Sequence, residues 1–122
     1  MSKLLIVDDE KDVREFAQKF FNKRNIDTLT AAGGVEALKL IDQERPDLVL
    51  LDVRMEELSG LEVLKRIRQN KWDVKVIMVT GVENGETIKE AWGLGIVNYI
   101  HKPLVLDELE QIVLKELQIK KP

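Results

Sequence analysis

The sequence predicts an α/β protein in which a five-stranded parallel sheet is covered by helices on both faces. Segments with a strand pattern and segments with a helical period alternate five times along the chain. The strand segments are continuously apolar, which is typical of parallel strands that are buried on both faces. The connections are short and no internal repeat or linker interrupts them, so residues 1–122 are expected to form a single domain.

Short apolar runs that stop at polar residues define the predicted strands. The run at 48–51 follows Pro46 and leads directly into Asp52, so a buried strand is expected to end on a carboxylate. The run at 26–31 is more polar and is expected near an edge of the sheet. The five predicted strands cover residues 3–7, 26–31, 48–51, 74–79 and 96–100.

Apolar residues at spacings of three and four predict a helix after each of the first three strands. The first helix ends near Asn25, the second must end before Pro46, and Ser59 is placed to cap the third. The apolar stripes of these helices are Val13, Phe16, Ala17, Phe20 and Phe21, then Val35, Ala37, Leu38 and Ile41, then Leu61, Leu64 and Ile67.

Two further helices follow the fourth and fifth strands. A short helix covers 87–94 and is stopped by Gly95. Asp107, with Glu110 three residues later, resembles a capping box and is expected to open the last helix. The buried side of that helix is expected to carry Leu109, Ile112, Val113 and Leu117.

Composition and charge exclude several classes of function. The chain has no cysteine, which excludes disulfides, thiol redox chemistry and thiolate metal sites. Its formal net charge of −3 gives no reason to expect direct binding of nucleic acid or of an anionic membrane. The apolar runs are far too short to span a bilayer or to form a signal-peptide core, so a cytoplasmic protein is expected.

Polar residues gather where the predicted strands end. In a parallel sheet the carboxyl ends of the strands share one edge, and ligands bind in the crevice there. Each of these residues alone has an ordinary explanation as a cap, a turn hydroxyl or a solvated charge. Their arrival together at one edge is much harder to explain in that way. The residues at these ends are Asp8, Asp9, Asp52, Thr80 and Lys102.

This cluster has the groups that phosphoryl transfer requires. Two carboxylates about 4 Å apart repel by roughly 4 kcal/mol at an effective dielectric constant near 20, so Asp8, Asp9 and Asp52 call for a cation among them. A few oxygen ligands with room for water suit Mg²⁺. A divalent ion, an ammonium and a hydroxyl can each contact an oxygen of a transferring phosphoryl group. Asp52 is placed to be the nucleophile and to form an acyl phosphate.

With these residues in hand, the sequence resembles the response-regulator receiver domain of two-component signalling over essentially its whole length. The Met55 and Gly60 positions and the run at 99–103 add to the likeness. The resemblance implies a CheY-like, flavodoxin-like (βα)5 fold, doubly wound in three α/β/α layers, with the strand order 2-1-3-4-5. The periodicity alone predicts the layers but not this order.

The resemblance also implies a role for each site residue. Asp52 would accept a phosphoryl group, Lys102 would pair with its oxygens, and Thr80 and Tyr99 would change conformation on its arrival. The bond before Pro103 would be cis. The metal would be Mg²⁺, with Mn²⁺ as an alternative, and its ligands would be Asp9, Asp52, the main-chain carbonyl of Arg54 and, through a water molecule, Asp8. The chain would be a switch that assists its own Mg²⁺-dependent phosphorylation and dephosphorylation, rather than an enzyme.

The implied partners are a histidine kinase or a histidine phosphotransfer protein. An output partner would bind the helix at 87–94, the strand at 96–100 and the last helix. The protein would be a monomer or a phosphorylation-dependent dimer, and it would contact neither nucleic acid nor membrane directly. No output domain is expected within residues 1–122, and two interpretations stay open: the domain works alone through protein contacts, or it belongs to a longer chain.

Three other interpretations compete with the switch. A flavodoxin-like cofactor binder would share the fold, but Asp8-Asp9-Glu10 follows the first strand where a glycine- and hydroxyl-rich phosphate loop is needed. A haloacid-dehalogenase-type phosphatase needs a second acid two residues after the nucleophile, where Arg54 stands. A receiver-shaped module that works without phosphorylation would normally have lost some of the acids or the lysine.

Four residues carry secondary hypotheses. Glu56 stands where the family usually has proline, and it is expected to point to solvent. His101, beside Lys102, is expected on the surface rather than in a catalytic role. Trp92 is either a helix-packing residue or an anchor for a partner. Val13 is a candidate contact for the phosphoryl donor, although core packing explains it equally well.

Overall fold

A computed structural model of the chain describes residues 2–81 and 85–118. Strands and helices alternate throughout, and no helix among the described residues is long and apolar enough to cross a membrane. The strands are β1 (Lys3–Val7), β2 (Asp27–Ala31), β3 (Leu48–Asp52), β4 (Lys75–Thr80) and β5 (Asn98–His101). The helices are α1 (Lys11–Asn22), α2 (Gly34–Glu44), α3 (Gly60–Gln69), α4 (Gly85–Gly93) and α5 (Leu106–Glu116).

The strands form one parallel sheet in the order β2-β1-β3-β4-β5, which confirms the predicted fold class and strand order. The more polar β2 lies at an edge, as its composition predicted. In β1, Leu4 and Ile6 face one side of the sheet while Leu5 and Val7 face the other. Both faces of the central strands are therefore apolar, and helices must cover both.

Two hydrophobic cores fill the space between the sheet and its helices. One core joins the sheet to α2, α3 and α4, and the other joins it to α1 and α5. The largest buried side chain is Phe21 of α1, which lies in the second core. The helix–sheet–helix arrangement confirms the predicted three layers.

The capping box predicted for the last helix is wrong, because Asp107 lies two residues after the residue that caps α5. The first helical hydrogen bond runs from the amide of Leu109 to the carbonyl of Val105, which makes Val105 the N-cap, without a side-chain cap. Asp107 therefore lies in the first turn, where its charge complements the helix dipole. The carboxylate of Glu110 binds the guanidinium of Arg24 at 2.7 Å instead of capping the helix. Ser59, in contrast, caps α3 as predicted by accepting a hydrogen bond from the amide of Glu62.

Other differences concern single residues and boundaries. Phe16 was expected on the buried stripe of α1, yet it is 58% exposed because Ala17 and Phe21 define the face against the sheet. β5 begins at Asn98 rather than at 96, since the amide of Ile96 bonds back to Ala91 and belongs to the turn that closes α4. α4 itself begins two residues earlier than predicted and ends at Gly93.

Candidate functional site

The carboxyl ends of β1, β3, β4 and β5 bring the predicted site residues to one edge of the sheet. Asp52 is the last residue of β3 and is opposite Val79, whereas Thr80 ends β4 opposite His101. Asp8 and Lys102 directly follow β1 and β5. The parallel register brings Asp8 level with Asp52, while Thr80 lies one residue and Lys102 two residues further towards the carboxyl edge.

Lys102 joins the two buried carboxylates of this edge. Its Nζ lies 3.0 Å from Oδ2 of Asp52 and 3.2 Å from Oδ2 of Asp8, and 4.0 Å from the more exposed Glu10. Asp8 and Asp52 are only 3% and 4% exposed, so the ammonium is their principal compensation for lost hydration. The main chain fixes Lys102 as well, because its amide donates to the carbonyl of Thr80 at 2.7 Å. The Lys102–Pro103 bond is cis, as the resemblance implied.

Main-chain amides hold the other oxygen of each acid. The amide of Arg54 donates to Oδ1 of Asp52 at 3.2 Å, and the amide of Glu10 donates to Oδ1 of Asp8 at 2.9 Å. Each carboxylate therefore presents its Oδ2 to Lys102 in a fixed orientation. Fixed orientation of this kind favours a nucleophile and a metal ligand.

Burial raises the pKa of Asp52 above its ordinary value of 3.8, and it outweighs the hydrogen bonds from Lys102 and the Arg54 amide, which lower it. For Lys102, burial lowers the pKa, but the hydrogen bonds and charges of Asp52 and Asp8 outweigh it and raise the pKa above 10.5. Two carboxylates therefore stabilise the charged form of one lysine, whereas each carboxylate has only a share in one ammonium. The edge carries an excess of carboxylate charge, which favours binding of a cation.

Carboxylates that could hold a metal ion lie together at the end of β1. Oxygen atoms of Asp8, Asp9 and Glu10 lie within 4.8 Å of one another. Hard carboxylate oxygens on a partly solvated edge are the ligand type that Mg²⁺ prefers, so the donor set fits this ion. Asp8 connects this group to Asp52 through their shared lysine. Glu10 was not among the predicted ligands, although the run Asp8-Asp9-Glu10 was visible in the sequence.

Thr80 and Tyr99, the predicted switch residues, lie on neighbouring strands. Thr80 is 2% exposed at the end of β4, whereas Tyr99 is half-buried in β5 opposite Met78. The Tyr99 ring packs against the core beneath α2, α3 and α4 and meets the ring of His101 edge-on at 5.1 Å. His101 itself is exposed, which agrees with its predicted surface position.

Gly60 allows the chain to pass closely behind Asp52. A Cβ atom at this position would collide with the main-chain carbonyl of Asp52, and the Gly60 amide donates to the carbonyl of Val53 at 2.8 Å. A side chain here would push the loop after β3 away from the acid. The requirement explains a glycine at the first position of a helix, where it is otherwise unfavourable.

Two clefts flank the site and differ in character. The first, which we name the α1–α5 cleft, has a volume of about 810 Å³ and is mainly apolar. It is lined by Lys102, which contacts the buried acids Asp8 and Asp52. The other cleft, about 670 Å³, is polar, and both Asp9 and the exposed Glu56 line it. The apolar residues of the α1–α5 cleft are Val13, Phe16, Ala17, Pro103, Leu104, Leu106 and Leu109.

The structure bears on the remaining single-residue hypotheses. Val13 lines the α1–α5 cleft and is only partly buried, so it is accessible to a partner. Trp92 is 48% exposed on α4, which favours a surface role over helix packing. Phe16 was not predicted as a cleft residue, because its spacing in the sequence is that of an ordinary core residue, and Leu104 has no pattern in the sequence that singles it out.

Comparison with known proteins identifies relatives of the whole chain. A family model described as "Response regulator receiver domain" matches residues 4–114. The chain is 38% identical over 118 residues to sporulation initiation phosphotransferase F of Bacillus subtilis (strain 168), covering 97% of this chain and 95% of that protein. It is also 38% identical over 120 residues to regulatory protein AtoC of Escherichia coli (strain K12), covering 98% of this chain but 26% of that longer protein.

A solved structure supports the same relationship. The response regulator protein TrrA from Thermotoga maritima, in complex with Mg(2+)-BeF, matches with a TM-score of 0.84 and 35% identity. The match covers 95% of this chain and 99% of that one. The likeness in fold therefore extends over the whole domain, including the edge that carries the acids.

Proposed function

The chain belongs to the response regulator receiver domain family, and from this premise we propose that Asp52 is the residue that accepts the phosphoryl group. Receiver domains are phospho-switches that are phosphorylated on an aspartate. The observation that carries the assignment is the contact of Asp52 with Lys102 at 3.0 Å on a buried strand end, with the opposite oxygen held by a main-chain amide. Asp8 also contacts Lys102, but it lies in the loop between β1 and α1, beside the other candidate metal ligands Asp9 and Glu10.

In the proposed reaction, Oδ2 of Asp52 attacks the phosphorus of a phosphohistidine. The new bond is an acyl phosphate, the P–N bond breaks, and the leaving imidazole takes up a proton. The Lys102 ammonium, which already contacts that oxygen, then pairs with the transferred phosphoryl oxygens. In the later dephosphorylation step, water attacks the phosphorus of the acyl phosphate, which regenerates the carboxylate and releases inorganic phosphate. In this proposal the domain assists both steps without being a turnover enzyme.

We assign Mg²⁺, with Mn²⁺ as an alternative, to the carboxylates beside β1. The proposed ligands are Asp9, Asp52 and the main-chain carbonyl of Arg54, with Asp8 acting through a water molecule. A divalent ion held there would neutralise charge on the phosphoryl oxygens. The surplus of carboxylate over ammonium at this edge supports the assignment, as does the Mg(2+)-BeF complex of the similar protein TrrA.

The switch in this proposal runs from Thr80 to Tyr99. A phosphoryl group on Asp52 brings roughly two negative charges and three strong acceptors to the edge where Thr80 ends β4. The Thr80 hydroxyl is drawn towards these acceptors, and the half-buried Tyr99 turns inward on the adjacent strand. The change is a shift in population between two packings of the same fold.

The α1–α5 cleft is our proposed docking site for the phosphoryl donor, a histidine kinase or a histidine phosphotransfer protein. It is apolar, it opens beside Lys102, and the exposed Phe16 lines it. A helix of the donor that buries its apolar face there would bring a histidine to Asp52. We propose α4, β5 and α5 as the surface for the output partner or for a phosphorylation-dependent dimer, and the cytoplasm as the location, in keeping with the family.

Phosphorylation by a small donor tests the assignment of Asp52. The protein is incubated with acetyl phosphate and Mg²⁺ and its intact mass is measured. We expect the mass of one phosphate to be gained, and the gain to be lost in Asp52→Asn and on chelation of the metal. Asp47→Asn is the matched control, because Asp47 lies just before the opposite end of the same strand. A phosphate that persists in Asp52→Asn would overturn the assignment.

A further inference from the structure

Arg68 of α3 forms a junction between two loops at the C-terminal end of α4. Its guanidinium donates four hydrogen bonds, all to main-chain carbonyl oxygens. Two acceptors follow α4, and two belong to the connection between α3 and β4. The distances are 2.8 Å from Nε to Leu94, 3.2 Å from Nη2 to Gly95, and 3.0 and 3.4 Å from Nη1 to Val74 and Trp72.

The packing of α4 gives these bonds unusual importance. Ala91 is the one buried side chain in the nine residues of α4, which the structure describes throughout. A short helix that buries so little apolar surface depends on the contacts at its ends. A cation at the C-terminal end of a helix also interacts favourably with the last carbonyls. Arg68 therefore supplies from α3 the C-terminal anchor of α4.

Further contacts strengthen the same end of the helix. Glu90 pairs with Lys65 of α3 at 3.2 Å, and the amides of Gly95 and Ile96 bond back to Trp92 and Ala91. The other end of α4 follows β4 in the chain, and β4 ends at Thr80, the proposed switch residue.

We propose that Arg68 is a positioning residue that makes the C-terminal end of α4 the pivot of the switch. A rearrangement that begins at Thr80 then turns α4 about Leu94 and Gly95, and the helix does not detach. The inference rests on the proposed function, because phosphorylation of Asp52 is the input. It requires the planar fork of a guanidinium, since a lysine ammonium is a point-like donor that cannot serve four separated carbonyls.

Amide hydrogen exchange of the full chain, measured by NMR with and without acetyl phosphate and Mg²⁺, tests the pivot. In the wild type, phosphorylation is expected to change exchange at residues 85–89 and to leave Gly95 and Ile96 unchanged. In Arg68→Gln, exchange at Gly95 and Ile96 should rise by about tenfold or more, because their turn loses its anchor. The phosphorylation-dependent change should then spread to this turn.

Two further variants separate positioning from general stability. Arg68→Lys keeps the charge and should fail to restore slow exchange at Gly95 and Ile96. Arg66→Gln removes the same group from an exposed position on the same helix and should behave as the wild type. The amide of Val49 in the central strand reports global unfolding and should be unaffected in every variant.

The outcomes distinguish this inference from the proposed function. The intact mass of each sample shows whether phosphate was gained, and a wild type that gains none overturns the function and the switch that depends on it. A normal mass gain with equal changes at 85–89 and at Gly95 and Ile96 overturns the pivot alone. The pivot is also overturned if Arg68→Lys exchanges as slowly as the wild type. Because the wild-type comparison needs no mutation, a variant that folds poorly does not prevent the test.

Discussion

The two edges of the sheet treat charge in opposite ways. At the amino edge, Lys3 binds Glu44 at 3.2 Å and its amide donates to Asp47 at 2.8 Å, while Lys75 donates to the carbonyl of Glu116 at 2.8 Å. Glu44 and Asp47 are exposed, whereas Lys3 and Lys75 are partly buried. At the carboxyl edge, two carboxylates that are 3% and 4% exposed share a single lysine. The acids of the amino edge are accessible to solvent, whereas the carboxyl edge buries two carboxylates with only one cation between them.

The difference is the one expected if the carboxyl edge trades stability for the proposed function. A buried carboxylate pair with one cation is unfavourable for folding, and in the proposed function the same pair would help to bind a divalent ion and a phosphoryl group. The exposed pairs at the amino edge contribute little to either stability or chemistry. The comparison can be tested by removing charges from each edge and measuring the free energy of unfolding.

Removal of the shared cation should have the largest effect. Lys102→Met leaves Asp8 and Asp52 buried with one main-chain amide each but no cation, and we expect the free energy of unfolding, measured in urea with chelator present, to fall by about 2–4 kcal/mol. Added Mg²⁺ should restore more stability to this variant than to the wild type, because the ion no longer competes with the ammonium. Lys3→Met at the amino edge is the control and should cost less than about 1 kcal/mol. Equal losses in the free energy of unfolding for Lys102→Met and Lys3→Met would contradict the proposed difference between the two edges.

Removal of one buried acid should act in the opposite direction. Because the pKa of Asp52 is raised on folding, the wild type gains stability from its protonation below pH 3.8 and loses it as the pH rises through the folded-state pKa. Asp52→Asn cannot ionise, and Lys102 keeps Asp8 as a partner. Without metal, we therefore expect the variant to be more stable than the wild type at pH 7, by on the order of 1 kcal/mol, and the difference to shrink towards pH 3.5.

The matching change at the amino edge sharpens that result. Asp47→Asn weakens the acceptor for the Lys3 amide and should destabilise the protein at pH 7 by roughly 0.5–1 kcal/mol. Both substitutions replace an aspartate by asparagine, at opposite ends of the same strand, yet they should change the free energy of unfolding in opposite directions. Urea titrations of both variants at pH 7 and pH 3.5 measure the two changes in the free energy of unfolding. Changes of the same sign would show that the ionised carboxylate of Asp52 does not destabilise the fold.

The carboxyl edge was largely predictable from the sequence. Strand ends determine which residues reach it, so Asp8, Asp52, Thr80 and Lys102 could be placed together from the apolar runs that precede them. The amino edge was not, because Lys3 pairs with Glu44 at the end of α2, and no strand end in the sequence marks that residue. Local patterns report burial and period, but they do not report which distant surfaces meet.

The same limit explains the features that the sequence did not reveal. Arg68 binds main-chain carbonyls, whose positions depend on the tertiary fold and leave no mark on residue type. Arg24 and Glu110 meet across 86 positions of the sequence, and this contact contradicted the capping role predicted for Glu110. Phe16 has the spacing of a core residue, and only the placement of α5 shows that it lines a cleft.

The smallest effect is expected for an exposed pair at the amino edge. Glu44→Gln removes the carboxylate that faces Lys3, whose side chain is 27% exposed and still donates to the carbonyl of Glu44 at 3.1 Å. We expect a loss of at most about 0.5 kcal/mol, which should disappear in roughly 0.5 M NaCl because salt screens exposed charges. The loss in Lys102→Met should persist at the same salt concentration, since buried charges are screened much less. Urea unfolding of both variants at low and high salt measures these losses. A loss above about 1 kcal/mol in Glu44→Gln that does not change with salt would mean that the amino edge also depends on a desolvated ion pair. The difference between the two edges would then not be a difference in burial.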